Sequence, residues 1–376
     1  MQRVFYVVIA ILIIISCTMQ NEVFENLIVY PKNSDWIVEY EIDGNINKIS
    51  LDLPIFSDYN FDKSFYKKDI EFKGRLFDHV AYSNTGWIAC ITNDGRSIKT
   101  YKLSHSNRKF ITNLITLPKD YSALTISIQE DILFVGGKGE NEILGFYDLI
   151  DNPKWNLLSI PDELLHSGKA IDDLLIVNND LIAVDNIVLP KWILKYNITN
   201  PAKPIIKDVK KLNTHGTYAE ITKSCYSNDL YFILSNTSSM GGAVEHISLL
   251  DRNFNEIGYF SNVIKYGNRN DYLHDTNDTF YSWNSIEVVK DLLLISSDNK
   301  GLGMLDLSKI DLNENGLKKA KEEIIYTKLS NNQNSKVLNV LTFPNYDKIV
   351  VVMSINGIFR TKELSINDIE KIIKDS

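Results

Sequence analysis

The chain has 376 residues, of which 44% are hydrophobic and 23% are charged, and its formal net charge is −8. A chain of this length can bury a large core, and an all-β fold of this size can form a single domain. The negative balance, with no block of Lys and Arg, argues against a nucleic-acid partner, because phosphate backbones are held by clustered cations.

The first predicted element is an apolar segment at the N-terminus. Residues 4–15 form an unbroken run of twelve apolar residues after Arg3. A membrane-spanning helix needs about 20 residues, whereas the apolar region of a secretory signal has roughly 7–15. The next residues, IISC at 14–17, resemble the lipobox of bacterial lipoproteins. This sequence departs from that pattern where Ile replaces the usual Leu and where a bulky Ile15 fills the variable position.

This resemblance implies that residues 1–16 are a signal peptide, that Cys17 is lipidated, and that residues 17–24 are a tether. An acylated chain is anchored to a membrane without spanning it. Thr18 stands where an aspartate would indicate inner-membrane retention, which favours the outer membrane or the cell surface. An uncleaved anchor, or an ordinary signal with a chance cysteine, is the alternative interpretation.

A repeat of about 50 residues occupies the rest of the chain. Seven segments begin with polar turn residues and continue as an alternating strand, at spacings of 51, 45, 49, 49, 62 and 57 residues. Further strand-like runs precede and follow most of these segments, and they are rich in Ile, Val, Leu and Tyr, as strands in hairpins are. The first strand residues after the turns are Trp36, Trp87, Ile132, Leu181, Leu230, Leu292 and Ile349.

Seven units of three or four antiparallel strands predict an all-β fold, a seven-bladed β-propeller over residues 25–364. A ring of six or eight blades also fits the two longest spacings, and a β-sandwich or two β domains is the alternative architecture. Residues 25–30 have strand character and are a candidate for closing the ring with the last blade. Residues 365–376 predict a short helix that is capped by Ser365.

Residues 197–204, NITNPAKP, closely resemble the LVIVD repeat of bacterial surface propellers, in which an Asn-Pro-x-x-Pro turn follows a strand. Residues 147–153 are a looser copy, and residues 305–308 are looser still. The resemblance implies an exported propeller of the binding kind, and it transfers no catalytic residue. Physically, the prolines end the third strand of the unit and begin an extended turn.

The two cysteines of the repeat region fall in different predicted blades. Cys90 lies in the second strand of blade two, and Cys225 lies in the first strand of blade five. A disulfide needs Cα atoms within about 7 Å of each other. We therefore predict that both are buried free thiols that act as small apolar residues.

Three histidines are candidates for a ligand site at the mouth of the central channel. His166 and His215 each lie 15 residues before the first residue of the next second strand, in the similar contexts HSGKA and HGTYA. His79 lies on the same kind of connection, and Tyr218 follows His215. Histidine is the commonest metal ligand, but histidines that brace loops by hydrogen bonding are the alternative.

The long connection at residues 262–284 is a second candidate for binding. It contributes Tyr272, His274 and Trp283 to the predicted ligand-binding set. Long connections in compact domains are usually functional or disordered, and aromatic residues provide much of the contact area in interfaces. The alternative is that this connection lies at the outer edge of the fold and binds no partner.

Residues 311–322 match the pattern of an EF-hand calcium loop, with Asp311, Asn313, Asn315 and Glu322 as the ligands. Two lysines at positions 318 and 319 and a strand-like segment before the loop count against calcium. A turn that caps a short helix is the alternative. We predict no other metal and no cofactor.

The sequence contains no nucleophile elbow, P-loop or Rossmann fingerprint. We therefore predict a monomeric, lipid-anchored, extracytoplasmic propeller that serves as a scaffold for an envelope protein or polymer ligand. The alternative is a propeller enzyme or small-ligand binder that acts on a glycan or another envelope polymer at the channel mouth, since propellers host both kinds of function.

Overall fold

A computed structural model of the chain shows strands from Leu27 to Leu364, followed by a C-terminal helix. The structure describes residues 23–24, 26–33, 35–51, 53, 79–92, 95–104, 109–140, 142–150, 153–161, 170–185, 191–212, 220–239, 242–265, 283–297, 300–311, 319–332, 335–356 and 358–375.

Seven antiparallel sheets, in each of which neighbouring strands follow one another along the chain, surround one axis. Blade one contains β1 (Leu27–Lys32), β2 (Asp35–Ile42) and β3 (Asn45–Leu51). Blade two contains β4 (Val80–Tyr82), β5 (Trp87–Ile91), β6 (Ser97–Leu103) and β7 (Phe110–Thr116). Blade three contains β8 (Ser122–Gln129), β9 (Ile132–Lys138), β10 (Leu144–Asp148) and β11 (Asn156–Leu157).

The remaining four sheets complete a seven-bladed β-propeller, as the repeat predicted. Blade four contains β12 (Ile171–Val177), β13 (Asp180–Asp185), β14 (Trp192–Asn197) and β15 (Ile205–Lys211). Blade five contains β16 (Glu220–Ser227), β17 (Leu230–Ser239), β18 (Gly242–Leu250) and β19 (Glu256–Lys265). Blade six contains β20 (Trp283–Val289), β21 (Leu292–Ser297), β22 (Gly301–Asp306) and β23 (Ile325–Thr327). Blade seven contains β24 (Ser335–Phe343), β25 (Lys348–Ile355) and β26 (Ile358–Leu364).

The polar turn that marks each repeat has a structural reason. In six blades, the turn between the first and second strands contains a residue in the left-handed region, with φ between 48° and 56°. Side chains such as Asn and Asp tolerate this conformation better than apolar residues do. The residues are Asn33, Glu130, Asn178, Asn228, Lys290 and Asp347.

The hydrophobic core lies between neighbouring blades. Phe232 and Leu234 of blade five, for example, pack against Ile286 and Leu293 of blade six. The innermost strands of neighbouring blades also lie against each other, as β16 and β20 do. Because each blade buries its two faces against two neighbours, the core of the described residues consists of separate clusters that follow one another around the ring.

Residues 25–30 were a candidate for closing the ring with the last blade, but their strand belongs to blade one. Among the described residues, β1 pairs with β2 only and is the innermost strand of blade one. Blades one and seven are instead joined by hydrogen bonds that involve side chains, such as that from the Asn33 backbone N–H to Thr361 Oγ1 at 3.1 Å. The hydroxyl of Tyr346 also donates to the carbonyl of Asn26.

A buried charge cluster lies at this closure. The carboxylate of Glu39 in β2 accepts hydrogen bonds from Lys348 Nζ of blade seven at 2.7 Å and from the Tyr30 hydroxyl at 2.8 Å. Lys48 Nζ lies 2.9 Å from the same carboxylate oxygen. The Glu39 side chain is 4% exposed and that of Lys348 is 12% exposed. A buried carboxylate is tolerated here because cations and a hydroxyl satisfy it.

Acid stability is expected to depend on Glu39. Burial alone would raise the pKa of this carboxyl, but the bonds from Lys348, Lys48 and Tyr30 outweigh burial and hold its pKa below the ordinary value of 4.5. The folded state therefore binds this proton more weakly than the unfolded state does. The stabilisation is complete above the ordinary pKa and is lost as the pH falls through the lower folded pKa.

We expect the melting temperature of the native chain to fall more steeply below pH 5 than that of Glu39→Gln, which cannot titrate at this position. Calorimetric melting between pH 3 and pH 7 measures the difference. Parallel curves for the two proteins would show that Glu39 does not contribute to acid sensitivity.

The predictions for the cysteines are confirmed. Cys90 in β5 and Cys225 in β16 are buried and free, in blades two and five. Burial raises the pKa of the Cys90 thiol to about 12 and that of Cys225 well above its ordinary value. Both thiols therefore stay protonated and act as small apolar residues.

The two prolines of residues 197–204 lie in the turn between β14 and β15, as predicted. β14 ends at Asn197, and β15 begins directly after Pro204. Between them, the N–H of Lys203 donates to the carbonyl of Asn200 at 2.9 Å. The prolines thus separate the third and fourth strands of blade four.

The C-terminal helix α1 (Ile366–Asp375) packs Ile366 and Ile369 against blades six and seven. Ser365 caps it as predicted, because its Oγ accepts from the Asp368 N–H at 3.0 Å, while the Ser365 N–H donates to the Asp368 carboxylate at 2.8 Å. In the part of the chain that the structure describes, no helix has the length and apolar character needed to cross a membrane.

Candidate functional site

A cavity of about 170 Å³ lies near the propeller axis. Its walls come from four blades that are consecutive around the ring, namely six, seven, one and two. The lining residues are Val29, Trp36, Val80, Tyr82, Glu287, Leu341, Thr342 and Phe343. Because most of them belong to the innermost strands β1, β4, β20 and β24, we call this space the axial cavity.

The axial cavity lies toward one end of the axis. We call the face where the innermost strands begin the N-face, and the face where they end the C-face. His79 directly precedes β4 on the N-face, whereas Tyr82 and Phe343 are the last residues of β4 and β24. Trp36 is near the start of β2, just after the turn on the C-face. The axial cavity therefore lies nearer the C-face, away from the channel mouth at which the sequence placed the ligand site.

Glu287 is the one carboxylate among the described residues of the cavity wall. Burial raises the pKa of the neighbouring Tyr82 well above its ordinary value of 10.0, and the charges of Glu287 and Tyr346 add to this effect. Tyr82 is therefore a neutral phenol at physiological pH. The wall combines one negative charge, a phenol, a threonine hydroxyl, two further aromatic rings and aliphatic side chains.

A β-bulge in β20 sets the direction of Glu287. Trp283, before the bulge, pairs with Ser297 and packs against Phe260 of blade five. The register shifts between Trp283 and Ser285, so that Glu287 pairs with Leu294, which packs toward blade seven. A shift of one residue reverses the face on which each later side chain lies. The bulge therefore places Glu287 on the opposite face of β20 from Trp283, toward blade seven, although the two residues are four positions apart.

The same bulge occurs in the innermost strands of five consecutive blades, three to seven. In each of these blades, the residue after the bulge pairs with the fifth residue of the second strand, as Ser285 does with Ser296 of β21. These residues after the bulge are all polar: Thr125, Asp173, Lys223, Ser285 and Asn339. Sequence reasoning missed this feature because one extra residue in a strand leaves no distinctive motif.

The buried acidic side chains elsewhere hold blades together. Five are buried among the described residues, and four of them accept a hydrogen bond from a neighbouring blade. The pairs are Glu39 with Lys348, Asp131 with Trp87 Nε1, Asp173 with Ser224 Oγ, and Glu245 with the Trp283 N–H. The fifth, Asp185, accepts from the N–H of Ala170 in its own blade at 3.5 Å. These carboxylates stabilise the ring.

Most of the predicted ligand residues lie outside the described residues. These are His166, His215, Tyr218, Tyr272 and His274, and the predicted lipidation site Cys17 also lies outside the described residues. His79 is half-buried on the N-face, and its carbonyl accepts from the Ile91 N–H at 2.9 Å. A ligand role for the N-face histidines stays a prediction.

Trp283 requires a correction, because the structure places it in the core. Its side chain is 0% exposed, its Nε1 donates to the Tyr326 hydroxyl at 2.9 Å, and its ring packs edge-on against Phe260. Its N–H donates to Glu245 Oε2, also at 2.9 Å. A side chain enclosed in this way cannot contribute to an open binding surface, so we assign it a packing role.

The calcium loop is described only at its ends. Asp311 and Glu322 are exposed, and Asn313 and Asn315 lie outside the described residues. A 3₁₀ turn at Lys321–Glu323 overlaps the end of the loop. Within the described ranges, no group of three or more His, Cys, Asp or Glu side chains is placed to hold a metal ion. Calcium binding here stays a prediction.

The comparisons with known proteins do not assign the chain to a family. No family model and no curated protein matches the chain. A solved protein from Lactobacillus plantarum is similar to it over 88% of this chain and 86% of that chain, with 9% identity and a TM-score of 0.49. The extracellular domain of a candidate hybrid two-component system from B. thetaiotaomicron matches 91% of this chain and 40% of that chain, with 15% identity and a TM-score of 0.47.

Hsv2p from Kluyveromyces lactis matches 91% of this chain and 94% of that chain, with 10% identity and a TM-score of 0.44. Because these identities and TM-scores are low, they carry no argument about function. The fold of this chain rests on its own strand pairing.

Proposed function

We propose that this protein is a lipid-anchored, extracytoplasmic β-propeller that acts as a binding scaffold in the cell envelope. The scaffold role rests on the hydrogen bonds that the buried acidic side chains make between blades. Four of the five buried carboxylates join neighbouring blades, so that charge in the described core serves to hold the ring rigid. A rigid ring that presents loops is a common basis for binding.

The lipid anchor rests on the sequence at residues 14–17, and its partner is the membrane. A lipidated chain with a short tether would hold the propeller close to the membrane surface. At the membrane surface the propeller would meet proteins and polymers of the envelope, and we propose that its partner is one of these. We propose that the protein acts as a monomer.

The anchor is tested by Cys17→Ala in a bacterial host that processes lipoproteins. We expect the native chain to incorporate an alkyne-labelled fatty acid and to enter the detergent phase, and we expect Cys17→Ala to lose both properties. Cys90→Ala is the matched control, because it removes a buried thiol of the propeller and should keep the label. The proposal would be contradicted if Cys17→Ala still incorporated the fatty acid, or if the native chain did not.

A further inference from the structure

The wall of the axial cavity combines aromatic rings, aliphatic side chains and one carboxylate. Three aromatic side chains, Trp36, Tyr82 and Phe343, line it together with the carboxylate of Glu287. Val29, Val80 and Leu341 supply the remaining apolar wall. The residues come from chain segments more than 300 positions apart, so only the closed ring brings them together.

We propose that the axial cavity binds a small organic ammonium ion, with a quaternary or tertiary amine head group. This inference rests on the binding role proposed above and names its ligand class. Aromatic faces attract cations through the ring quadrupole, and such sites recognise quaternary ammonium groups. A carboxylate in the same wall adds a full opposite charge in a partly desolvated space, where Coulomb attraction is stronger than in water.

The charge of the wall selects against other ligands. An anion would be repelled by the negative charge that Glu287 places in the cavity, the same charge that helps to raise the pKa of Tyr82. A sugar would need polar partners on most of its sides, whereas the polar groups of this wall stand beside the aliphatic side chains of Val29, Val80 and Leu341. An alkylated ammonium fits both the apolar and the charged parts of the wall, because its methyl groups would contact apolar side chains while its charge would face the carboxylate and the rings.

The size of the cavity limits the ligand to a few heavy atoms. A cavity of roughly 150 Å³ in a protein interior holds benzene, and the axial cavity is about 170 Å³. Choline has seven heavy atoms and is of suitable size. Its neutral carbon analogue, 3,3-dimethylbutan-1-ol, has the same shape without the charge, so the pair separates the contribution of charge from that of apolar contact.

The test is isothermal titration calorimetry of the full chain in mild detergent, with choline chloride as the titrant and sodium chloride as the salt control. We expect a one-to-one complex with a dissociation constant below about 1 mM, given the small number of ligand atoms. We expect 3,3-dimethylbutan-1-ol to bind at least about tenfold more weakly, since the loss of one charge contact in such a site is of that size.

Two variants assign the binding to the axial cavity. Glu287→Gln keeps the shape of the side chain and removes its charge, and we expect about a tenfold or greater loss of choline affinity. Glu370→Gln is the matched control, because it removes the same charge from an exposed position of α1 and should bind choline as the native chain does. Val80→Phe fills part of the cavity while Glu287 stays in place, and it should also lose binding.

Circular dichroism melting of each variant shows whether it is folded, and if Glu287→Gln is unfolded, then Val80→Phe and the neutral analogue decide the question. The inference is overturned if choline releases no heat beyond the salt control, if the analogue binds equally well, or if Glu287→Gln and Val80→Phe bind as the native chain does. Fatty-acid labelling at Cys17 is read separately. Failure to bind choline with labelling intact would overturn the ligand assignment alone, and loss of labelling with choline binding intact would overturn the anchor alone.

Discussion

Replacing Lys348 with methionine is expected to lower the free energy of unfolding by about 3–5 kcal/mol, the usual cost of removing one partner of a buried ion pair. The substitution leaves the Glu39 carboxylate buried, with only the Tyr30 hydroxyl and the half-exposed Lys48 to satisfy it. Lys48 recovers part of the loss, which places the expected value toward the lower end of the range. Urea unfolding followed by circular dichroism measures the change.

The structural consequence should appear at ring closure. Within the described residues, blades one and seven share no strand pairing, and Lys348 is a principal link between them. Hydrogen exchange should therefore show loss of protection first in β1 and β25. Lys362→Met, on the exposed face of β26, is the matched control and should change stability by less than about 0.5 kcal/mol.

A double-mutant cycle distinguishes a charge effect from a packing effect. The variant with both Lys348→Met and Glu39→Met removes both charges, and we expect it to be more stable than Lys348→Met alone, because no uncompensated carboxylate remains. If the two substitutions are simply additive, the cluster does not act as an ion pair, and the proposed basis of ring closure is wrong.

Replacing Trp283 with alanine is expected to lower the free energy of unfolding by about 3–5 kcal/mol, as for other fully buried tryptophans. The indole fills the interface between blades five and six, where Phe260 contacts its ring. Its loss would leave a cavity and would remove the hydrogen bond from Nε1 to Tyr326. Thermal and urea unfolding measure the effect.

Tyr326→Phe is the matched control for the hydrogen bond. It removes the acceptor and leaves the ring of Trp283 in place, so it should cost only about 1–2 kcal/mol. If Trp283→Ala were nearly neutral in stability, the indole would not be a core residue. Such a result would support the ligand-binding role that the sequence predicted for Trp283.

Local signals in the sequence were sufficient for the architecture. The polar turns before each second strand were visible because a tight reversal needs a left-handed residue, and Asn178 and Asn228 are suited to it. The prolines after Asn197 and the cap at Ser365 are equally local. Each of these features depends on a few consecutive residues, so one sequence is enough to predict them.

The candidate site was not predictable in the same way. The sequence directed attention to histidines on the N-face and to Trp283, whereas the described cavity lies toward the C-face and Trp283 is a core residue. Glu287 had no motif to mark it. Its direction depends on the bulge at Asn284, and its neighbours Tyr82 and Leu341 come from other blades.

The sequence by itself therefore determined the repeat of antiparallel strands that favours seven blades, the order of the strands and the helix at the end, because hydrophobic alternation and turn chemistry act over a few residues. It also predicted the free state of both cysteines. Only the tertiary structure decided how the ring closes, which carboxylates hold blades together and what lines the axis. Those features join residues far apart in the chain, such as Glu39 and Lys348, which are 309 positions apart. Their energies depend on burial and on distance in space, which exist only after the ring has closed.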